Sequence, residues 1–328
     1  MLEKIRIGIA GYGNLGRGVE MAIARNPDMQ LVGVFSRRDP AGIRLLTADV
    51  PVHKLDDIEQ FREQIDVLIL CGGSKNDLPV QGPALAALFN TVDSFDTHNK
   101  IPEYFSAVDN AARAGERTAI ISVGWDPGLF SLNRLFGEAV LPAGETYTFW
   151  GKGLSQGHSD AVRRVPGVKA GVQYTIPSAA AMERVRSGQQ PQLSTREKHT
   201  RECHVVLEEG ADAAAVKQAI VSMPDYFADY DTTVHFISEE ALRSNHAAMP
   251  HGGFVIRSGE TAEGSKQVME YSLKLGSNPE FTASVLVAYA RAGFRLHRGG
   301  AYGAHSVLDV APGLLSPKSA AQLRKELL

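Results

Sequence analysis

The sequence predicts an α/β fold: an N-terminal Rossmann-type doubly wound parallel sheet followed by a C-terminal α+β domain. Three observations predict it. Up to about residue 140, short runs rich in Val and Ile alternate with segments of helical period. Gly11-Tyr12-Gly13-Asn14-Leu15-Gly16 directly follows the first such run and opens the first helical segment. Past about residue 144 the rhythm changes to runs that alternate apolar with polar residues, as in an antiparallel sheet with one solvated face.

Residues 5–10, 31–35, 67–71, 92–95 and 119–123 read as strands because they are short, largely β-branched and bounded by Gly, Asp or Ser. Between the first two, Leu15, Val19, Ala22 and Ile23 share one helical face, and Asn26-Pro27-Asp28 stops that helix. Residues 79–89 and 102–114 each begin with proline and supply further crossover helices. In the second half, strands are expected at 145–150, 171–176, 204–208, 232–237, 253–257 and 267–275. Helices at 179–186, 212–222 and 283–296 are expected to cover one face of their sheet. Residues 316–328, with Pro317 at the start and Ala320, Leu323 and Leu327 on one side, read as a final helix that folds back on the first domain. The expected domains are therefore 1–144 and 145–315, with 316–328 as an appended helix.

A chain of 328 residues suffices for two domains, each with its own core. Lys and Arg total 34 against 37 Asp and Glu, so nothing favours nucleic acid or an anionic membrane as partner. No run approaches the roughly 18 apolar residues of a spanning helix, and the opening residues lead straight into a strand. Cys71 and Cys203 fit neither a disulfide framework nor a metal spacing. A cytoplasmic protein is expected.

In the glycine-rich loop, Gly11 permits the tight turn, Gly13 lets backbone approach a pyrophosphate, and Gly16 lets helix and strand pack closely; Tyr12, Asn14 and Leu15 complete the loop. About twenty residues on, an NAD-specific protein offers Asp or Glu to the ribose 2′-OH. This chain offers Ser36-Arg37-Arg38, whose guanidiniums suit a 2′-phosphate, so NADP(H) is the expected cofactor. The plain alternative is a solvated basic loop, and Asp39 weighs slightly toward it. Cys71, Gly72 and Ser74 end a strand where the nicotinamide half would lie; no His stands near enough in sequence to make Cys71 a nucleophile. Asp93, Asp96 and Asp126 follow strand ends and are expected to face the same crevice, Asp93 toward the cofactor. Carboxylates there can hold an ammonium. Asp126-Pro127-Gly128 also reads as a helix cap with Pro at the first position, and Trp125 as core.

Gly-Tyr-Gly-Asn-Leu-Gly-Arg at 11–17, Phe-Ser-Arg-Arg at 35–38, Asp-Thr-His at 96–98 and Gly-Trp-Asp-Pro-Gly at 124–128 carry a resemblance. So do Gly-Leu-Ser-Gln-Gly-His-Ser-Asp at 153–160, Met-Pro-His-Gly-Gly at 249–253 and Asn-Pro-Glu-Phe-Thr-Ala-Ser at 278–284. Nearly end to end, the chain resembles the meso-diaminopimelate dehydrogenase family. The resemblance implies NADP-dependent, reversible oxidative deamination at the D-centre of meso-2,6-diaminopimelate, giving L-2-amino-6-oxopimelate and ammonia. It implies a homodimer whose second domain serves substrate binding and dimerisation, and a place in lysine and cell-wall synthesis. It also implies catalytic roles for Asp96 and Asp126 at the reacting amino group, one of them accepting a proton, with Trp125 walling the site. Gln156 and Gly157 would meet the carboxylate beside the reacting carbon, Thr175, Arg201 and His251 the distal carboxylate, and Asn278 the distal amino group. Taken singly, Arg201 reads as a surface charge and Asn278 before Pro279 as a turn or helix cap.

Gly153-Leu154-Ser155-Gln156-Gly157 also satisfies G-x-S-x-G, but the adjacent His158 and Asp160 cannot converge on one hydroxyl as a hydrolase triad must. His246 and His251 lack a carboxylate or Cys at metal-ligand spacing, so no metal is expected. The competing readings are another NADP-linked reductase, of dihydrodipicolinate-reductase or homoserine-dehydrogenase build, and a non-enzymatic dinucleotide-sensing regulator.

Overall fold

The structure, a computed structural model, describes residues 4–328, with the side chain of Gln156 also outside the described residues. The chain opens with β1 (Ile5–Ala10), α1 (Asn14–Ala24), β2 (Met29–Ser36), β3 (Val52–Lys54), β4 (Val67–Leu70), α2 (Leu78–Ala86), β5 (Thr91–Asp93), α3 (Ile101–Ala114) and β6 (Thr118–Ile120). β1 matches its expected bounds. It is buried on both faces, as a central parallel strand must be. β5 and β6 stop short of expectation for a shared reason: the Asp93 carboxylate accepts from the Phe95 and Ser122 N–H groups, and Ser122 lies in left-handed backbone at φ 56°. Both segments thereby leave the ladder. β3, the short and partly polar Val-His-Lys, gave no strand signal.

α4 (Leu129–Val140) leads to β7 (Gly144–Trp150), β8 (Gly153–Leu154), α5 (Gln156–Arg163), β9 (Val168–Pro177), α6 (Ala179–Arg186), α7 (Thr195–Lys198) and β10 (His199–Leu207). Then come α8 (Ala213–Val221), β11 (Asp231–Phe236), α9 (Glu239–Asn245), β12 (His251–Ala262), β13 (Ser265–Leu275), α10 (Asn278–Arg298), β14 (Gly303–His305) and α11 (Ala320–Leu327). A seven-stranded sheet runs in the order β14-β6-β5-β4-β1-β2-β3 with every pairing parallel. The expected single antiparallel sheet is instead two. One is the four-stranded β11-β10-β9-β8, mixed because β10 and β11 pair in parallel; the other is the antiparallel β13-β12-β7. α8 supplies Val216 and Ile220 to a core with Cys203 and Val205 of β10, and α6 supplies Met182 and Val185 to one with Phe149 and Ile256.

The chain divides into one compact unit formed by the residues up to Leu132 with Pro279–Leu328, and a second formed by Asn133–Asn278. This corrects the expected boundaries at 144 and 315. The reason is α10: its Ala283, Leu286, Tyr289 and Ala290 share a core with Ile7, Ile9, Val19, Val92 and Ile120 of the parallel sheet and its first helix. α10 therefore covers that sheet and not the antiparallel one. Arg291, almost wholly buried, fixes the arrangement by pairing with Asp28 at 2.6 Å while donating to Asn26 Oδ1 and the Leu315 carbonyl. That guanidinium holds the Asp28 carboxyl below its usual range. α11 starts only after Ser319, which forms a capping box with Gln322, so Pro317 lies outside the helix. No residue of α11 is buried and Leu327 is 73% exposed, so the apolar side expected to pack is not a packed face. Among the described residues no helix is long and apolar enough to cross a membrane.

Candidate functional site

The glycine loop joins β1 to α1, and its three glycines differ physically. Gly11 has φ 96°, and a Cβ there would meet the Cys71 backbone at 3.1 Å. At Gly16 a Cβ would lie 2.2 Å from the Gly11 carbonyl oxygen. At Gly13, which stands at the N-cap of α1 with no side chain capping the helix, a Cβ would meet nothing within 4 Å. Two glycines thus close the turn and the third leaves open space before uncapped N–H groups, with no acidic residue in the first helical turn, a fit to a dinucleotide pyrophosphate. Tyr12, Asn14 and Leu15 belong to this loop and first turn. The Tyr12 hydroxyl donates to the buried Glu20, whose other oxygen accepts from the Thr47 N–H at 2.5 Å. Glu20 carries no signal in the sequence, since it sits about 100° round α1 from Val19, off the face that Leu15, Val19, Ala22 and Ile23 share.

At the end of β2, Ser36 is buried and its hydroxyl accepts from the Arg38 N–H at 3.1 Å. The Arg38 guanidinium donates to the Tyr12 carbonyl, so the basic segment lies against the glycine loop. Arg37 is exposed and pairs with Asp77 at 2.9 Å, and Asp77 also accepts from the Gly73 N–H beside Gly72. A 2′-phosphate at Arg37 would compete with that carboxylate. Burial pushes the Cys71 thiol far up, which makes it a packing group.

The expectation that Asp93 faces the cofactor is corrected. Asp93 is 1% exposed, and its two oxygens accept from Phe95 N at 2.9 Å, Ser122 N at 3.1 Å and the Tyr104 hydroxyl at 2.7 Å. Burial pushes its carboxyl up to about 6. It fastens together the segment that continues to Asp96 and the one that continues to Trp125 and Asp126. Asp96 itself is exposed, its N–H donating to the Ser74 hydroxyl at 2.8 Å, which places Ser74 and Asp96 side by side past the ends of β4 and β5. Trp125 is buried edge-on against Phe130. α4 opens at Leu129, whose N–H donates to the Gly124 carbonyl, and the Phe130 N–H donates to that of Trp125. Asp126 therefore stands ahead of the cap position, and Pro127 is not the first helical residue.

In the second unit, one cross-strand row runs Thr232, Arg201, Thr175, Gly153 from β11 to β8. Arg201 is not the surface charge its neighbours suggest. β10 begins at His199, five residues earlier than expected, which turns Arg201 inward to 6% exposure. Its guanidinium donates to the Thr175 hydroxyl and stacks over Tyr230 at 3.9 Å. Arg201 Nε and the nearby Gln173 Oε1 are buried with no hydrogen-bond partner among the described residues. The His251 ring lies over Gly153, where a Cβ would come within 2.4 Å of it. Ser155 caps α5 and also meets His158 Nδ1 at 2.8 Å, and its N–H donates to the Gln173 carbonyl. Gln156 and the exposed Gly157 form the first turn of α5, and the Gln156 side chain lies outside the described residues. Burial, with the Arg201 charge second, pushes both His158 and His199 down to about 4, leaving them neutral near pH 7. His199 Nε2 accepts from the Trp150 N–H at 2.8 Å, which requires that neutral form. Asn278 is the first residue of α10, and its N–H donates to the Met249 carbonyl at 3.0 Å, two residues before His251. Gln173, Tyr230 and His199, which surround Arg201, were not legible as site residues because only the strand pairing assembles them.

A meso-diaminopimelate D-dehydrogenase of Lysinibacillus sphaericus is 65% identical over 327 residues, covering 100% of each chain. The chain belongs to the meso-diaminopimelate D-dehydrogenase family. The family profile described as Diaminopimelic acid dehydrogenase C-terminal domain matches residues 124–277, which spans most of the second unit. Among solved structures, a six-substitution meso-dapdh mutant from Clostridium tetani E88 with DAP superposes with TM-score 0.94 at 55% identity, covering 99% of this chain and 100% of that one. An engineered D-amino acid dehydrogenase bound to NADP+ gives TM-score 0.86 at 45% identity over 99% and 100% of the two chains. The parallel sheet with its second α+β unit is thus the architecture of this dehydrogenase family.

Proposed function

We propose that this chain is an NADP-dependent meso-diaminopimelate D-dehydrogenase, an oxidoreductase acting on a CH–NH2 group. It converts the D-centre of meso-2,6-diaminopimelate to the 6-oxo group of L-2-amino-6-oxopimelate and releases ammonia, reversibly. The observation that carries the reading is Arg201: a guanidinium buried with a hydroxyl and an aromatic face, and without an acidic partner among the described residues, suits the carboxylate of a ligand. Thr175 and His251 complete that anchor, Asn278 takes the distal amino group, and Gln156 and Gly157 take the carboxylate beside the reacting carbon. In the C. tetani mutant, the six changed residues are Gln, Thr, Arg, Pro, His and Asn, in the order and at the spacing of Gln156, Thr175, Arg201, Pro250, His251 and Asn278 here. That coincidence supports the assignment. Full-length identity of 65% to a named dehydrogenase does not favour the reductase and regulator alternatives.

Bound NADP+ supplies the hydride acceptor. Gly11, Gly13 and Gly16 with the α1 N-terminus hold its pyrophosphate, Ser36, Arg37 and Arg38 its 2′-phosphate, and Gly72 and Ser74 flank its nicotinamide half. Deamination needs the substrate ammonium held, a proton removed from it and a water activated for imine hydrolysis. Asp96 and Asp126 are the carboxylates for this work, and Trp125 walls the site. Two copies form a homodimer through the second unit, whose β13 leaves Val268 and Met269 more than a third exposed, and the enzyme works in the cytoplasm, feeding lysine and cell-wall synthesis in reverse. Asp126→Asn tests the chemistry: kcat should fall about 10²-fold or more with NADPH affinity nearly unchanged. Retention of most of kcat and kcat/KM would reduce Asp126 to a structural residue.

A further inference from the structure

The face of β10 opposite Arg201 carries a second group of functional side chains. Along β10, Arg201, Cys203 and Val205 point into the core, so Glu202 and His204 point the other way and are half-buried. His204 pairs in register with His235 of β11, and the two rings stack at 4.9 Å. One ligand atom each from Glu202, His204 and His235 lie within 4.8 Å of one another, the one such trio among the described residues. His246, at the end of α9, brings its ring to 4.2 Å from that of His204, and its Nδ1 meets the Tyr174 hydroxyl at 2.9 Å.

We propose that Glu202, His204 and His235 form a surface binding site for a divalent cation of the Zn2+ class, separate from the Arg201 row and bridging β10 to β11. Two imidazoles and one carboxylate are a donor set that Zn2+ accepts, with water completing its shell. Tetrahedral ligands at about 2.1 Å from the metal stand roughly 3.4 Å apart, so the donors must close by about an ångström. His235 is exposed and the other two half-exposed, which leaves their side-chain torsions free to do this. When His246 Nδ1–H donates to Tyr174, its Nε2 keeps a free lone pair beside His204, a polar neighbour of the kind that supports metal ligands. Lys152, whose ammonium lies 5.7 Å from the Tyr174 ring centroid, opposes the cation and sets the affinity below that of a closed four-ligand site. The sequence hides the trio because His235 reaches Glu202 and His204 only through a parallel strand pairing.

The test is competition for Zn2+ between the full-length, metal-free protein and a chromophoric zinc indicator, repeated with His235→Ala and Glu202→Gln. His235 is exposed on an edge strand, so its replacement leaves the core untouched, and circular dichroism checks both variants. Loss of a supporting neighbour already costs a metal site 10- to 100-fold, so each ligand variant should weaken binding at least about tenfold. One equivalent of Zn2+ should also raise the wild-type Tm and leave that of His235→Ala unmoved. Failure of the wild type to compete with the indicator, or equal competition by wild type and both variants, would overturn the proposal; the second result would place the ion elsewhere on the chain.

Discussion

The Arg201 guanidinium donates to the Thr175 hydroxyl directly across the β9–β10 ladder, in a row whose next member is Gly153 with the His251 ring upon it. Burial lowers the Arg201 pKa from its ordinary value, the electrostatic sign of a cation held in low dielectric with no counter-charge among the described residues. Such a group costs stability until a ligand anion arrives.

Arg201→Met should therefore separate stability from activity. With no carboxylate partner left behind among the described residues, thermal unfolding should show a Tm equal to or above wild type. Catalysis should move the other way, kcat/KM for meso-diaminopimelate falling about 10- to 100-fold with loss of one charged hydrogen-bonding partner. A large fall in Tm would mean that Arg201 is a structural residue.

Asp93 carries a pH signature of its own. Its carboxyl is raised to about 6 in the fold, above its ordinary value of 3.8, so the native state holds the proton more tightly between those values. Its contribution to stability is full below about pH 4 and is lost as pH rises through about 6. The stability difference between wild type and Asp93→Asn, from urea unfolding at several pH values, should fall over that window by on the order of 3 kcal/mol and then level off. A difference that grows with pH would contradict the burial argument. Asp93→Ala strands two N–H groups and the Tyr104 hydroxyl and should cost about 3 kcal/mol or more.

Parts of this were legible in the sequence and parts were not, for identifiable reasons. β1 and the glycine loop are local: alternation, a turn and a helical face fall within one short stretch, and the structure keeps them. Arg201 taken singly reads as a surface charge, and only the family resemblance points to it as a substrate anchor, because its burial depends on where β10 begins, which pairing with β9 decides and no nearby residue announces. Asp93 was misread in the opposite sense. A carboxylate at a strand end looks presented to a ligand until Ser122, distant in sequence, folds back to donate to it. α10 has apolar residues enough to cover either sheet, and Arg291 with its Asp28 partner fixes it on the parallel one.

The Arg37–Asp77 pair gives the proposed cofactor choice a test. NADP should be preferred over NAD, and Arg37→Ala should lower kcat/KM for NADP about 10- to 100-fold with little effect on NAD. Asp77→Asn, which frees Arg37 from its 2.9 Å partner, should shift preference further toward NADP. Steady-state rates with both cofactors decide it, and equal kcat/KM for the two in wild type would contradict the reading.

In the proposed function, a distal anchor on Thr175 and Arg201 aligns the D-centre of a two-ended substrate for oxidation. Binding energy at the far end, remote from the chemistry, then appears in the rate at the near end. The most direct test is NADPH formation from meso-, L,L- and D,D-diaminopimelate and from D-alanine, each as kcat/KM, in wild type and Arg201→Ala. Wild type should strongly prefer the meso isomer, with D-alanine poor because it leaves the guanidinium unpaired, and that preference should collapse in the variant. Comparable wild-type activity on D-alanine and meso-diaminopimelate, or an unchanged ratio after the substitution, would show that no such anchor operates.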